Sequence, residues 1–294
     1  MSTGHRTAQT DRNPMTIITA TELADLLATD TPVRLLDVRW ALAQPDGREA
    51  FADGHIPGAA YVDLETELSD HSVTGRGRHP LPSGSDLQAA LRRWGIDDGD
   101  TVVAYDDWNR AGSSRAWWVL RAAGLTDVRI LDGGLGGWLE SGGSVQSGRA
   151  ADRTGNVTVA HEDLYAGALP TLTAAEAEQV AEKGVLLDAR APERFRGELE
   201  PVDPVAGHIP GAANLPSTGV LDDDGNFVDP EKLRERFAER GVDAGNPLGA
   251  YCGSGVTAAV LVAAADAAGI ELPLFPGSWS QWSSDPANPV ATGE

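Results

Sequence analysis

Leu35-Leu36-Asp37-Val38-Arg39, followed by Gly54-His55-Ile56-Pro57-Gly58-Ala59, returns in the second half of the chain as Leu186-Leu187-Asp188-Ala189-Arg190 followed by Gly207-His208-Ile209-Pro210-Gly211-Ala212. The histidine stands 18 residues after the aspartate in the first copy and 20 in the second. A hexapeptide repeated unchanged at nearly the same offset marks an internal duplication. Working outward, Val102-Val103-Ala104-Tyr105-Asp106 takes the place of Pro247-Leu248-Gly249-Ala250-Tyr251-Cys252, and Ala122-Ala123-Gly124-Leu125 that of Ala267-Ala268-Gly269-Ile270. Leu131-Asp132-Gly133 through Trp138 matches Phe275-Pro276-Gly277 through Trp282. Each half alternates short apolar runs with helical stretches, which predicts an α/β fold with a mainly parallel central sheet flanked by helices in each of two domains.

The 294 residues agree with two cores of similar size. The expected domains span 15–145 and 168–290. Between them, 146–167 reads as a linker rich in Gly, Ser, Arg and Asp, and 1–14 as a mobile tail. With 44 acidic against 23 basic residues the net charge is −21, which argues against nucleic acid and anionic membrane surfaces as partners. The same field repels small anions, so an anionic ligand needs a local cluster of Arg and backbone N–H groups. The apolar stretch Val256 to Ala265 is too short to cross a bilayer and reads as a buried helix. One cysteine cannot form an intramolecular disulfide, and the N-terminal stretch lacks an apolar secretory core. The expected compartment is the cytoplasm.

That single cysteine, Cys252, follows the apolar run Leu248-Gly249-Ala250-Tyr251 and opens Cys252-Gly253-Ser254-Gly255, after which Val256 and Thr257 lead into an Ala- and Val-rich helix. A strand end turning through glycines into a helix aims several N–H groups, and the helix dipole, at one point. Such a loop stabilises a thiolate or a persulfide anion. A core cysteine, the bland alternative, needs no glycine loop beside it. The first half carries Asp106 in this position, so only the second has a nucleophile.

Paired Asp-x-Arg and Gly-His-Ile-Pro-Gly-Ala elements, with Cys-Gly-Ser-Gly-Val-Thr-Ala in the second copy only, make the chain resemble the tandem-domain rhodanese superfamily over nearly its whole length. The resemblance implies an inactive first domain, an active second domain and a site at their interface. It implies a sulfurtransferase that carries sulfane sulfur on Cys252. The loop is similar to that of 3-mercaptopyruvate sulfurtransferases, whereas thiosulfate sulfurtransferases commonly place basic residues after the Cys. A dianion such as thiosulfate favours cationic loop side chains, and Gly253, Ser254, Gly255, Val256 and Thr257 have none. A keto acid needs one or two Arg partners for its carboxylate.

Arg194 matches a substrate-binding Arg of the family. A second such Arg usually follows a Pro-Glu-Pro segment; here the corresponding region is Glu200-Pro201-Val202-Asp203, with Arg196 or Arg115 as substitutes. The resemblance also singles out His55 as facing the active loop, oriented by Asp46, which with Ser254 gives a Ser-His-Asp relay. Against this, His55 and His208 share one turn sequence, and a repeated fold element explains both. Arg39 and Arg190, beside Asp at strand ends, read as structural ion pairs.

Expected partners are a small-molecule sulfur donor and a thiol acceptor such as thioredoxin or a small thiol, with cyanide as another acceptor. No cofactor or metal is expected. Trp117-Trp118 and the glycine runs near Gly133 read as packing and turns, Asp222-Asp223-Asp224-Gly225 lacks calcium-loop spacing, and no His/Cys cluster has zinc spacing. Among competing readings, a Cys-dependent phosphatase needs an Arg six residues after the Cys, where this chain has Ala258. Thiosulfate sulfurtransferase is the nearer alternative, and a persulfide carrier without turnover is the non-catalytic one.

Overall fold

The computed structural model describes residues 16–149, 153–243 and 245–294, so the expected tail lies outside the described residues. In the first domain β1 (Ile17–Ile18), α1 (Ala20–Leu27), β2 (Val33–Asp37), α2 (Arg48–Asp53) and β3 (Ala60–Tyr61) are followed by α3 (Leu64–Glu67) and α4 (Gly84–Arg93). Then come β4 (Thr101–Tyr105), α5 (Ala111–Ala122), β5 (Val128–Leu131) and α6 (Gly134–Glu140). The strands form one parallel sheet in the order β1-β5-β4-β2-β3. Every residue of β4 is buried, as a central strand covered on both faces requires, which is why Thr-Val-Val-Ala-Tyr reads as a continuous run. Helix α1 starts on a capping box in which Thr19 and Glu22 satisfy each other's backbone N–H groups.

The second domain repeats the plan with α7 (Ala174–Lys183), β6 (Val185–Asp188), α8 (Pro192–Phe195), β7 (Ala213–Asn214), α9 (Pro230–Ala238), β8 (Leu248–Tyr251), α10 (Ala258–Ala267) and α11 (Ser278–Trp282). Its parallel strands run β7-β6-β8, and parallel bridges from Leu274 to Ala250 and to Thr171 extend the order exactly as far as the first sheet goes.

The repeated sequence elements fasten the same joint twice. Asp37 pairs with Arg39, whose Nη2 reaches Asp37 at 2.7 Å and the Gly54 carbonyl at 2.6 Å. Asp188 pairs with Arg190, whose Nη2 reaches Asp188 at 2.7 Å and the Gly207 carbonyl at 2.7 Å. Each pair ties a strand end to the following Gly-His-Ile-Pro-Gly turn. All four side chains are buried, so losing one partner strands a charge at a cost of about 3–5 kcal/mol. The structural reading of Arg39 and Arg190 therefore holds.

Between the domains, α5 packs on α10. Ala258 to Ala265 are all buried, as an apolar helix without a polar face must be. One hydrophobic cluster runs through both domains, from Leu36 and Trp117 to Val256, Leu261 and Leu274. The described parts of the expected linker, 146–149 and 153–167, are more ordered than their composition implies. Gln146 bridges to His55, Val157 is buried, and Leu164–Ala166 forms a 3-10 turn. Isolated apolar residues in a polar stretch were enough to bind it to the first domain, where its backbone groups find partners. No helix among the described residues is long and apolar enough to cross a membrane.

Candidate active site at the domain interface

Cys252 leaves the end of β8 and is 1% exposed. Its loop is held from outside by α11: the N–H groups of Trp279 and Ser280 donate to the carbonyls of Cys252 and Gly253 at 3.0 and 2.9 Å. The Cys252 N–H donates to Ser278 Oγ at 3.1 Å. With these carbonyls turned outward, the Gly255 N–H points back at the Cys252 sulfur, 3.1 Å away. Gly255 has φ +79°, and a Cβ there would stand 2.4 Å from the Pro276 carbonyl oxygen, so glycine is required for both conformation and space. Val256 is buried and Thr257 opens α10 without a side-chain cap, which leaves the helix N-terminus facing the loop.

The first domain has no thiol in this position. Asp106, in the place of Cys252, accepts from the N–H and hydroxyl of Ser113 at 3.0 and 2.8 Å and pairs with Arg110 at 3.3 Å. A buried ion pair fills its loop.

Ser254 is brought to a histidine, but it is not His55. The Ser254 hydroxyl meets His79 Nδ1 at 2.7 Å, and His79 Nε2 faces Glu65 Oε1 at 3.2 Å. Glu65 also accepts from Trp40 Nε1 at 2.6 Å and His71 Nε2 at 2.9 Å. The tautomer that satisfies both contacts has Nε2–H donating to Glu65 and Nδ1 accepting from Ser254. Burial pushes His79 below the ordinary value of 6.5, against the opposing pull of Glu65, so the imidazole is neutral at neutral pH. Hydrogen bonding from His79, with further bonds from Trp40 and His71, outweighs desolvation at Glu65 and holds its carboxyl at about 2. A hydroxyl, a neutral imidazole and a carboxylate in series form a proton relay.

The expected relay through His55 and Asp46 is therefore corrected. His55 Nδ1–H donates to the Phe51 carbonyl at 2.8 Å, its Nε2 accepts from Gln146 at 3.0 Å, and its ring stacks on Phe51 at 3.8 Å. His208 does the same with Phe195, bonding its carbonyl at 2.7 Å and stacking at 3.7 Å. Both brace their turns. Asp46 lies exposed beside Arg48, 3.3 Å away.

Segment 76–82 of the first domain carries His79 across to the second. Gly77 has φ +85°, and a Cβ there would sit 2.4 Å from the Gly277 carbonyl oxygen; the next N–H, of Arg78, donates to Ser280 Oγ at 3.0 Å. From α5, the fully buried Arg115 donates to the carbonyls of Leu68, His79 and Gly255 at 2.9, 3.1 and 3.2 Å, so one guanidinium joins the relay to the active loop. Burial pushes Arg115 down to about 10, still cationic at neutral pH, and a negative Cys252 is among the groups that favour its charge. Arg194 pairs with Glu200 at 2.6 Å and with Asp203 at 3.5 Å. Arg196 pairs with Glu198 at 2.8 Å, away from the loop.

His79 and Glu65 escaped the sequence reading, although a signal existed. His79 has no counterpart in the second half and lies in Arg76-Gly77-Arg78-His79, a basic stretch in an acidic chain. In a duplicated protein the repeated residues build the fold, and the unrepeated ones are where function diverges.

A family model described as the rhodanese-like domain matches residues 19–141 and again 173–285. The chain belongs to the rhodanese family. Among rhodanese relatives, SseB of Mycobacterium tuberculosis, provisionally named a thiosulfate sulfurtransferase, is 59% identical over 278 residues, covering 94% of this chain and 97% of its own. A Pseudomonas aeruginosa protein provisionally named a 3-mercaptopyruvate sulfurtransferase is 44% identical over 287 residues, covering 95% and 98%. The crystal structure of SseA from Escherichia coli, described as a 3-mercaptopyruvate sulfurtransferase with the rhodanese fold, superposes with a TM-score of 0.78 at 31% identity, covering 90% of this chain and 99% of that one.

Proposed function

We propose that this rhodanese-family sulfurtransferase takes sulfane sulfur from 3-mercaptopyruvate onto Cys252 as a persulfide and passes it to a thiol, thioredoxin or a small thiol, in the cytoplasm. The observation that carries the choice of donor is the Ser254–His79–Glu65 relay beside the active loop. The Cys252 thiol must lose a proton to attack the donor sulfur. As the new S–S bond forms, the donor's C–S bond breaks and its electron pair stays on the three-carbon fragment as an enolate, which becomes pyruvate only by gaining a proton on carbon. One proton leaves and one is needed. Neutral His79 takes it through Ser254, Glu65 stabilises the imidazolium, and the relay returns it to the enolate. Arg115, together with the Gly255 N–H, favours the anionic sulfur before and after transfer. The acceptor thiolate then attacks the outer sulfur and releases Cys252.

Thiosulfate leaves as sulfite and needs no carbon protonation, so a thiosulfate enzyme has no use for the relay. The name of the Mycobacterium tuberculosis relative favours that second reading. Steady-state kinetics with both donors and one thiol acceptor decide between them: kcat/KM is expected to be higher for 3-mercaptopyruvate, and an equal or higher value for thiosulfate would overturn the assignment. A phosphatase reading finds no support, because Ala258, where the phosphate-clamping Arg is required, is wholly buried.

The protonation state of His79 gives a pH dependence with a definite sign. The neutral form does the work, and its ordinary value of 6.5 is lowered by burial. The rate with 3-mercaptopyruvate is expected to fall to half its plateau only below pH 6.5. A rate that already halves above that value in a pH–kcat/KM profile would contradict the neutral-imidazole relay.

A further inference from the structure

We propose that Tyr165, in the stretch between the two domains, is a positioning residue for the proton relay: it clasps segment 76–82 on either side of His79 and so sets where that imidazole stands relative to Ser254. This rests on the relay reading and identifies what holds the relay in register. Segment 76–82 contains no helix or strand residue, so its backbone groups need partners from elsewhere. The Arg78 N–H donates to Ser280 of the second domain, and the carbonyls of His79 and Pro80 accept from Arg115 and from the Asp70 N–H at 3.1 and 3.0 Å. Beyond His79 the chain runs Pro80-Leu81-Pro82. Proline has no N–H, so Leu81 carries the only backbone donor of these three residues. That donor goes to the Tyr165 hydroxyl at 3.0 Å.

The ring of Tyr165 holds the other end of the segment, where the Arg76 guanidinium lies over it, 4.5 Å from its centre. One side chain thus touches the segment both before and after His79. Burial pushes the Tyr165 phenol above its ordinary value of 10, so the hydroxyl keeps its proton at neutral pH and its oxygen accepts. Tyr165 is itself fixed to both domains. Its N–H donates to the Asp163 carboxylate at 2.9 Å, and Asp163 bridges to Ser83 of the first domain. Its carbonyl accepts from the Thr171 hydroxyl at 2.6 Å, and Thr171 bridges to Leu274 of the second. Ser254 belongs to the second domain and His79 to the first, so their 2.7 Å contact depends on a part tied to both. A displacement of about 1 Å in a reacting group costs up to about a hundredfold in rate.

The test is a double-mutant cycle measured on folded protein. Tyr165→Phe keeps the ring under Arg76 and removes only the oxygen that Leu81 bonds. It is expected to lower kcat with 3-mercaptopyruvate about threefold to thirtyfold and to leave KM within about twofold. In a His79→Ala background the same change is expected to move kcat by less than about twofold, because the side chain it positions is gone. An unchanged kcat in the wild-type background, a rise in KM alone, or equal losses in both backgrounds would overturn the assignment; equal losses would make Tyr165 a brace between the domains. If Tyr165→Phe does not fold, Arg76→Gln decides, since Arg76 is exposed and its replacement leaves the core intact. A fall in kcat of roughly twofold to fivefold that disappears with His79→Ala supports the clasp, and no fall, or the same fall in both backgrounds, would overturn it. His79→Ala with the kcat of the wild type would overturn the relay reading and the clasp with it, whereas a silent Tyr165→Phe beside an impaired His79→Ala overturns the clasp alone.

Discussion

Replacing Cys252 with serine is expected to bring sulfur transfer down to background with every donor and acceptor, while the variant stays folded. The chain has no second thiol to take over, and the first domain's equivalent position holds Asp106 in an ion pair with Arg110. Serine differs from cysteine by one atom, so the loop contacts from Trp279, Ser280 and Ser278 survive. A serine hydroxyl cannot hold transferable sulfane sulfur, whatever its nucleophilicity. Thermal unfolding within a few degrees of the wild type, combined with no product from 3-mercaptopyruvate plus a thiol, is the expected pair of results. Turnover above background in the variant would mean that the sulfur travels by another route.

The second large effect separates two histidines that look alike in sequence. His79→Ala is expected to lower kcat with 3-mercaptopyruvate by about a hundredfold to ten-thousandfold, the range for a lost general acid–base group. Ser254→Ala is expected to fall in the same range, and the double variant to be little worse than either single one, because the groups act as one relay. His55→Ala is expected to act through stability, since it removes a carbonyl partner and a ring stacked on Phe51. Its kcat per folded molecule should stay near that of the wild type. Measuring kcat on folded protein for the three variants decides the matter, and a loss confined to His55→Ala would restore the first assignment and defeat this one. Any thiosulfate turnover gives an internal control, because sulfite needs no proton on carbon and should survive His79→Ala far better.

Much of this was legible in the sequence because it is local. The duplicated hexapeptide, the Asp-x-Arg pairs and the glycine loop after an apolar run each specify a backbone shape over a few residues, and all three occur where expected. Cys252, Gly253, Ser254, Gly255, Val256 and Thr257 form one continuous segment, so the reading of any one supported the others. Glu65 sits in the four-residue α3 and His79 in an irregular stretch, neither with a period that reveals them, and they meet Ser254 only where segment 76–82 crosses the domain boundary. Packing between α5 and α10 sets that crossing, and no local pattern encodes it. His55 was misleading for the opposite reason. Its turn is a strong local motif, and the same Nδ1-to-carbonyl bond and ring stacking at His208 in the second copy show that the motif encodes a fold joint. Asp203 stands in the region where a second arginine was sought, and it pairs with Arg78 of the other domain at 2.6 Å.

The most direct measurement is mass spectrometry of the protein after brief exposure to 3-mercaptopyruvate without acceptor, with alkylation to trap persulfides and digestion to locate them. The account predicts one added sulfur per chain, confined to the peptide that contains Cys252, formed together with one pyruvate and lost when a thiol acceptor is supplied. Pyruvate released with no sulfur on that peptide, or sulfur carried by any other peptide, would contradict it.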